Sequence, residues 1–236
     1  MHEIKSSDVF INELASKVQE NFRNIRPESG MTVAEARSFW DTELKSSDNQ
    51  ESSDTAEFGG KYKSYEDRLS CVPVSETKGQ WEGQRGESKF VPSDDVGKEC
   101  KDKLAEYNLD GIEYKNLEPD FSKCSEATVQ IEDMDEHRWD YTDANGNEQL
   151  GNFSKADEKA AQLWNEQKKD GRTDWTAEDV YDYRNDPDHH FTWHERCDTK
   201  TMDLVPSEIH SYCTHSGGVA ECRARDAVNA GGEFDE

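Results

Sequence analysis

Imidazole and carboxylate groups are concentrated in one short stretch of this chain. Between Phe191 and Gly218, FTWHERCDTKTMDLVPSEIHSYCTHSGG, stand His194, His210 and His215, with Glu195 directly after the first. Neutral imidazole is a metal ligand and, because it titrates near neutral pH, a general acid or base. A neighbouring carboxylate adds a hard oxygen. A lone histidine is usually a surface group or a satisfied core group, so His2 and His137 are read as uninvolved, and His189 and His190 as a solvated turn. Core packing alone does not explain the density between 191 and 218.

The residue types around the histidines predict the elements that position them. Phe191 to Glu195 has the aromatic and β-branched content of a strand, Asp198 to Lys200 is turn-like, and Thr201 to Val205 alternates into a second strand. Pro206 stops the ladder, Ser207 is placed to cap a helix carrying His210, and Gly217 with Gly218 is read as its end. A strand ending in His-Glu, a second strand, and a helix delivering more histidine form a hairpin-plus-helix cradle for one divalent metal.

The same residues resemble a known family, the WHH-type toxin nucleases of the HNH/endonuclease VII superfamily. The elements that carry the resemblance are Trp193-His194-Glu195, Asp198, Met202 with Val205-Pro206, Ile209-His210, and His215-Ser216-Gly217-Gly218, five separated elements in order. Upstream, GQWEGQRGESKFVPSD (Gly79 to Asp94) and LDGIEYKNLEPDFS (Leu109 to Ser122) are similar to segments that precede this motif in such toxins. The resemblance spans about Ser70 to Ala220. It implies a ββα-metal, HNH-like site at 189–220 and a metal-dependent endonuclease acting on DNA rather than RNA. It also implies delivery as the C-terminal toxin part of a larger secreted effector, action in the target-cell cytoplasm, and a cognate immunity protein.

Phosphodiester cleavage needs an activated nucleophile and stabilisation of charge on the phosphoryl and leaving oxygens; one divalent ion (Mg, Mn or Zn) supplies the latter. His194 is read as the general base, with Glu195 as the alternative. His210 and His215 are read as metal ligands, and Asp198 as an oxygen ligand or an outer partner of an imidazole. Successive strand residues face opposite ways, so His194 and Glu195 share a site only if the strand ends or bulges there. A separation of five residues also places His215 beyond the end of the helix bearing His210.

Composition bears on the partners. The 236 residues carry 53 Asp and Glu against 28 Lys and Arg, a formal charge of −25, with 32% hydrophobic residues. Nucleic-acid affinity comes largely from cations meeting phosphates. A nuclease of this charge therefore needs locally basic residues, read here as Arg196, Lys200, Arg223 and Arg225, or a substrate held chiefly through the metal. Two other readings stand beside this one. One is a noncatalytic zinc-binding or interaction module built from His210, Cys213, His215 and Cys222; the other is an acidic mimic of nucleic acid. The 6 cysteines form no CxxC pair and are read as free thiols. No apolar run is long enough to span a bilayer, and no N-terminal signal segment is read.

Along the chain, Ile11, Leu14, Val18, Phe22 and Ile25 predict a helix, and Thr32 with Glu35 starts a second through Val33, Phe39, Trp40 and Leu44. The polar stretch Lys45 to Gly60 reads as a linker. Beyond it come a helix through Cys100 and Leu104, short strands at Ile112 to Tyr114 and Ala127 to Ile131, a helix from Ser154 and one from Thr176. These describe a mixed α+β domain over 61–236, preceded by a helical segment over 1–60.

Overall fold

The strand Thr201–Pro206 is buried along its whole length, because hydrophobic core covers both of its faces. It lies within the residues described by the computed structural model, 60–74 and 76–231, which fall in one compact unit. The two predicted N-terminal helices and the linker up to residue 59 lie outside the described residues.

In chain order the elements are α1 (Tyr65–Leu69), β1 (Gly79–Trp81), β2 (Lys89–Pro92), α2 (Lys98–Glu106), β3 (Ile112–Lys115), β4 (Glu118–Pro119) and β5 (Ala127–Gln130). There follow β6 (Tyr141–Thr142), β7 (Glu148–Gln149), α3 (Asn152–Gln167), a 3-10 turn at Lys169–Gly171, α4 (Ala177–Arg184), β8 (Phe191–Glu195), β9 (Thr201–Pro206), α5 (Ser207–Tyr212) and α6 (Gly218–Gly231). The strands form an antiparallel sheet in the order β1-β2-β3-β4, a second in the order β5-β9-β8, and the small hairpin β6-β7.

Period-two alternation sorts the β5-β9-β8 side chains into two layers. Ala127, Val129, Phe191, Trp193, Met202 and Leu204 join Ala156, Ala160 and Trp164 of α3 and Val180 of α4 in one core. Val205 points the other way and joins Ile209 and Cys213, Cys100 and Leu104 of α2, and Phe90, Ile112 and Tyr114 in the second. The continuous burial of β9 is therefore that of an internal strand.

A buried polar contact fixes how β8 is turned. The Trp193 indole Nε1 donates to Asp157 Oδ1 at 2.8 Å, and Arg184 donates to both Asp157 oxygens at 3.0 and 3.1 Å. Asp157 and Arg184 are each 3% exposed. Anchored on α3 and α4 by Trp193, the strand presents the next residue, His194, to the opposite layer.

Most predicted elements form, with shifted bounds. α3 starts at Asn152 rather than Ser154, and Thr176 with Asp179 forms the capping box of α4. The hairpin β8-β9 is present with its turn at Asp198, whose carboxylate accepts from Thr201 N at 2.8 Å and Lys200 N at 3.0 Å. The reading of Gly217 and Gly218 is corrected. α5 ends at Tyr212, and Gly218 opens a further helix, α6, that the pattern did not reveal. A Cβ at Gly217 would lie 2.9 Å from the Glu195 carbonyl oxygen, and one at Gly218 would lie 2.5 Å from that of Arg196. Glycine lets this segment lie against the end of β8.

Candidate metal centre

Three imidazoles meet where the end of β8, α5 and the loop after α5 come together. Ring centroids are 4.6 Å apart for His194 and His215, 5.4 Å for His210 and His215, and 5.6 Å for His194 and His210. One nitrogen from each lies within 4.8 Å of the other two. His210 is delivered by α5, whose neighbouring Ile209 and following Cys213 are held in the second core. His215 stands beyond the helix end, as its spacing predicts. Phe121, fully buried, packs edge-on against His194 at 5.0 Å and lies 5.8 and 6.2 Å from the His210 and His215 rings.

Burial keeps these imidazoles uncharged. Desolvation, then the charges of His215 and His210, hold the His194 pKa well below the usual value. Desolvation and His215 bring His210 down to about 3, and desolvation brings His215 down to about 4. His215 Nδ1 lies 3.0 Å from the Cys213 carbonyl oxygen; with the proton on Nδ1, its Nε2 lone pair is free for the cluster.

His194 is fully buried, yet neither ring nitrogen has a hydrogen-bond partner. Buried polar groups are rarely left so. The Glu118 Oε1 atom lies 3.8 Å from His194 Nε2. Glu118 accepts from the Cys197 backbone N–H at 2.6 Å, has its other oxygen unpartnered, and is pushed up to about 8, chiefly by burial. Convergent neutral imidazoles with orphaned nitrogens suit a transition-metal ion, whose nitrogen bonds run about 2.0–2.1 Å.

The cluster opens into a cleft of about 230 Å³ lined also by Arg138, Glu195 and Gly217. Glu195 ends the strand, which is how it and His194 reach one cleft. Its carboxylate accepts from Arg138 Nε at 2.8 Å and from Asn152 Nδ2 at 3.1 Å. Burial raises its pKa, and the Arg138 charge works against that rise.

Other predicted site residues lie elsewhere. Asp198, read as an oxygen ligand, is occupied by the β8-β9 turn, with its Oδ2 accepting from Thr201 Oγ1 at 2.6 Å. None of the four predicted phosphate-binding cations lines the cleft. Arg196 is paired with Asp203 at 2.6 Å, Arg223 with Glu136 at 2.8 Å and Arg225 with Asp226 at 2.8 Å, while Lys200 borders a different cleft. The mixed histidine and cysteine set does not assemble either, because Cys213 lies in the second core and the Cys222 thiol donates to the Met134 carbonyl at 3.2 Å. All six cysteines are free. His137 stacks on Tyr141 with centroids 3.7 Å apart, outside the cluster, and His189 and His190 are exposed.

Sequence reasoning missed Arg138, Asn152 and Glu118. Only Glu118 carries a signal, through its place in the Leu109 to Ser122 segment. Arg138 and Asn152 stand in polar sequence with no motif; the fold brings Arg138 to the cleft and Asn152 to the Glu195 carboxylate.

No match was found among curated proteins or solved structures. Residues 111–217 match the family model of the DNase/tRNase domain of colicin-like bacteriocin. That span is just under half of the 236-residue chain and holds every residue lining the cleft. The match supports a nuclease toxin domain of bacteriocin type, with nucleic acid as substrate.

Proposed function

We propose that this chain carries a metal-dependent endonuclease of the HNH type, with His194, His210 and His215 holding one divalent ion. The observation that carries the reading is the convergence of three uncharged imidazoles, His194 fully buried with both nitrogens orphaned and His210 and His215 half-buried, beside the paired Glu195 and Arg138. An all-imidazole set favours Zn or Mn over Mg, which prefers oxygen ligands. A bound ion would polarise the phosphoryl oxygens and stabilise the leaving oxygen.

The chain's own groups supply the rest. With His194 among the ligands, the base role falls to Glu195, the alternative already raised by its place in the motif. Glu195 accepts a proton from the attacking water as the water oxygen bonds to phosphorus and the phosphorus–oxygen bond of the leaving group breaks. Arg138 and Asn152 hold the carboxylate in place, and the half-exposed Arg138 guanidinium also faces the phosphate. Phe121 walls the cluster on its buried side and keeps the local dielectric low, which strengthens these interactions.

The resemblance extends the proposal to DNA as the substrate, interbacterial antagonism within a larger secreted effector, action in the target-cell cytoplasm, and an immunity protein that blocks the cleft. The catalytic unit is taken as 61–236, with 1–60 as a separate helical segment. Purified chain should be incubated with plasmid DNA and with RNA, each with Mg²⁺, Mn²⁺, Zn²⁺ or EDTA. Cleavage supported by a transition metal and abolished by EDTA is expected; no cleavage of either polymer under any metal overturns the proposal.

A further inference from the structure

A second, larger cleft is lined in part by Cys197. It has a volume of about 600 Å³ and is lined by Lys61, Lys63, Arg68 and Lys200, with Tyr62 and Tyr65 beside them. Its lining gathers four cations and one carboxylate in so acidic a chain. Among the described residues Lys61, Lys63 and Lys200 make no ion pair, as is true of several other lysines. Arg68 is 3% exposed and makes no ion pair among the described residues; it donates to Asn116, its carbonyl oxygen at 2.8 Å and its Oδ1 at 3.2 Å, and its Nε has no hydrogen-bond partner there. The carboxylate on the lining, Asp198, is turned into the β8-β9 turn by Thr201 and Lys200. Behind the wall, buried Glu221 accepts from the Tyr62 and Lys63 N–H groups at 2.8 and 3.2 Å, which fixes the lysine-bearing segment.

Buried Glu221 stands behind Arg68, since a Cβ on Gly60 would meet the unpartnered Glu221 Oε1 and Arg68 Nε each at 2.8 Å, so the cationic face left to the cleft is chiefly that of Lys61, Lys63 and Lys200. The cations stand beside two tyrosine rings, faces on which bases can stack. Glu195, the last residue of β8, borders the first cleft, and Cys197, two residues further on in the turn, borders the second. Lys61, Lys63 and Arg68 precede the span that matches the bacteriocin nuclease family, so that match does not account for them.

We infer that this cleft binds the phosphate backbone of a nucleic-acid strand, holding the polynucleotide next to the centre where it is cut. The inference rests on the nuclease reading, and it answers how a chain of charge −25 holds a polyanion: a local cationic cleft carries the binding while the rest of the surface repels it.

The test is binding in EDTA, where no cleavage is needed. Fluorescence anisotropy of a labelled single-stranded oligonucleotide should be followed across a salt series for wild type, for the triple variant Lys61→Ala, Lys63→Ala, Lys200→Ala, and for a control triple, Lys98→Ala, Lys123→Ala, Lys159→Ala, with the same change in net charge at exposed sites elsewhere. The cleft variant is expected to bind about tenfold or more weakly, with a log–log salt slope shallower by about 2, from three phosphates at about 0.7 each. The control should bind as wild type does. Equal losses in both triples, or none in the cleft variant at an unchanged melting temperature, would overturn the inference. A wild type that binds through this cleft but cleaves nothing would sink the nuclease reading alone, and one that cleaves yet binds without these lysines would sink this inference alone.

Discussion

Replacing Glu195 with Gln keeps shape and removes charge, and the structure specifies the consequences. Arg138 Nε donates to one Glu195 oxygen and Asn152 Nδ2 to the other. Glutamine offers one acceptor to these two donors, so one donor loses its partner in a site where Glu195 is only 4% exposed. An unmatched buried donor costs about 1–3 kcal/mol. The loss is partly offset because burial disfavours the carboxylate charge, the direction of the raised Glu195 pKa. The net expectation is a stability loss of about 1–2 kcal/mol, alongside a fall in cleavage of about 10²–10⁴-fold, the usual contribution of a general base. Metal content should not change, since no imidazole is touched. Plasmid cleavage, bound metal and urea unfolding should be measured on one preparation. If Glu195 only holds Arg138, then Glu195→Gln, Arg138→Ala and the double variant should lose equal activity; a base predicts a deeper loss for Glu195→Gln. Cleavage within a few-fold of wild type in soluble, folded Glu195→Gln refutes the assignment of the base.

Other expectations follow from the same geometry. His194→Ala and His210→Ala should each lose bound metal and cleavage together, measured by metal analysis and plasmid nicking; a variant that keeps metal and loses only rate would return the base role to that histidine. Arg184→Met leaves buried Asp157 with only the Trp193 indole and should cost about 3–5 kcal/mol in urea unfolding at neutral pH; a loss under about 1 kcal/mol would mean the pair does not hold β8. His210 is held down to about 3 by burial, against about 6.5 in an unfolded chain. Its folded pKa is depressed, so in EDTA the stability of wild type relative to His210→Ala should be constant above about pH 6.5. It should then fall as pH drops towards 3, by up to about 1.4 kcal/mol per pH unit. A difference that stays flat from pH 7 to 4.5 contradicts the burial of a neutral ring.

What was legible in the sequence was whatever local chemistry dictates. The hairpin β8-β9, its turn at Asp198 and the helix carrying His210 follow from β-branched runs, an Asx turn and Pro206, all within one stretch. The α4 capping box was written in Thr176 and Asp179. Face assignment was harder, because it depends on what packs against the strand. Trp193 turns towards α3 only through Asp157, 36 residues upstream, and that contact decides that His194 joins the other imidazoles. Arg138 and Asn152 were out of reach for the same reason, since their partner Glu195 lies 57 and 43 residues away. The expected phosphate cations stand near the histidines in sequence, but the fold pairs three of the four with carboxylates, Arg223 with Glu136 from 87 residues away.

The internal position of β9 also bears on how this molecule comes together. One neighbour, β8, is reached through a short turn, but the other, β5, pairs Thr128 with Asp203, 75 residues further along the chain. Closing so long a loop is slow, because chain entropy is lost before any contact rewards it. The imidazoles are close in sequence, yet Val205 and Leu204, which hold their hairpin, need both layers present. The helical pair α3 and α4 is built from local contacts and should order early. The reactive centre should mature last, so a chain still being synthesised or held extended carries the histidines without the arrangement that makes them act together. Stopped-flow refolding should show helical signal returning well before the fluorescence of Trp193 reports its buried place against Asp157.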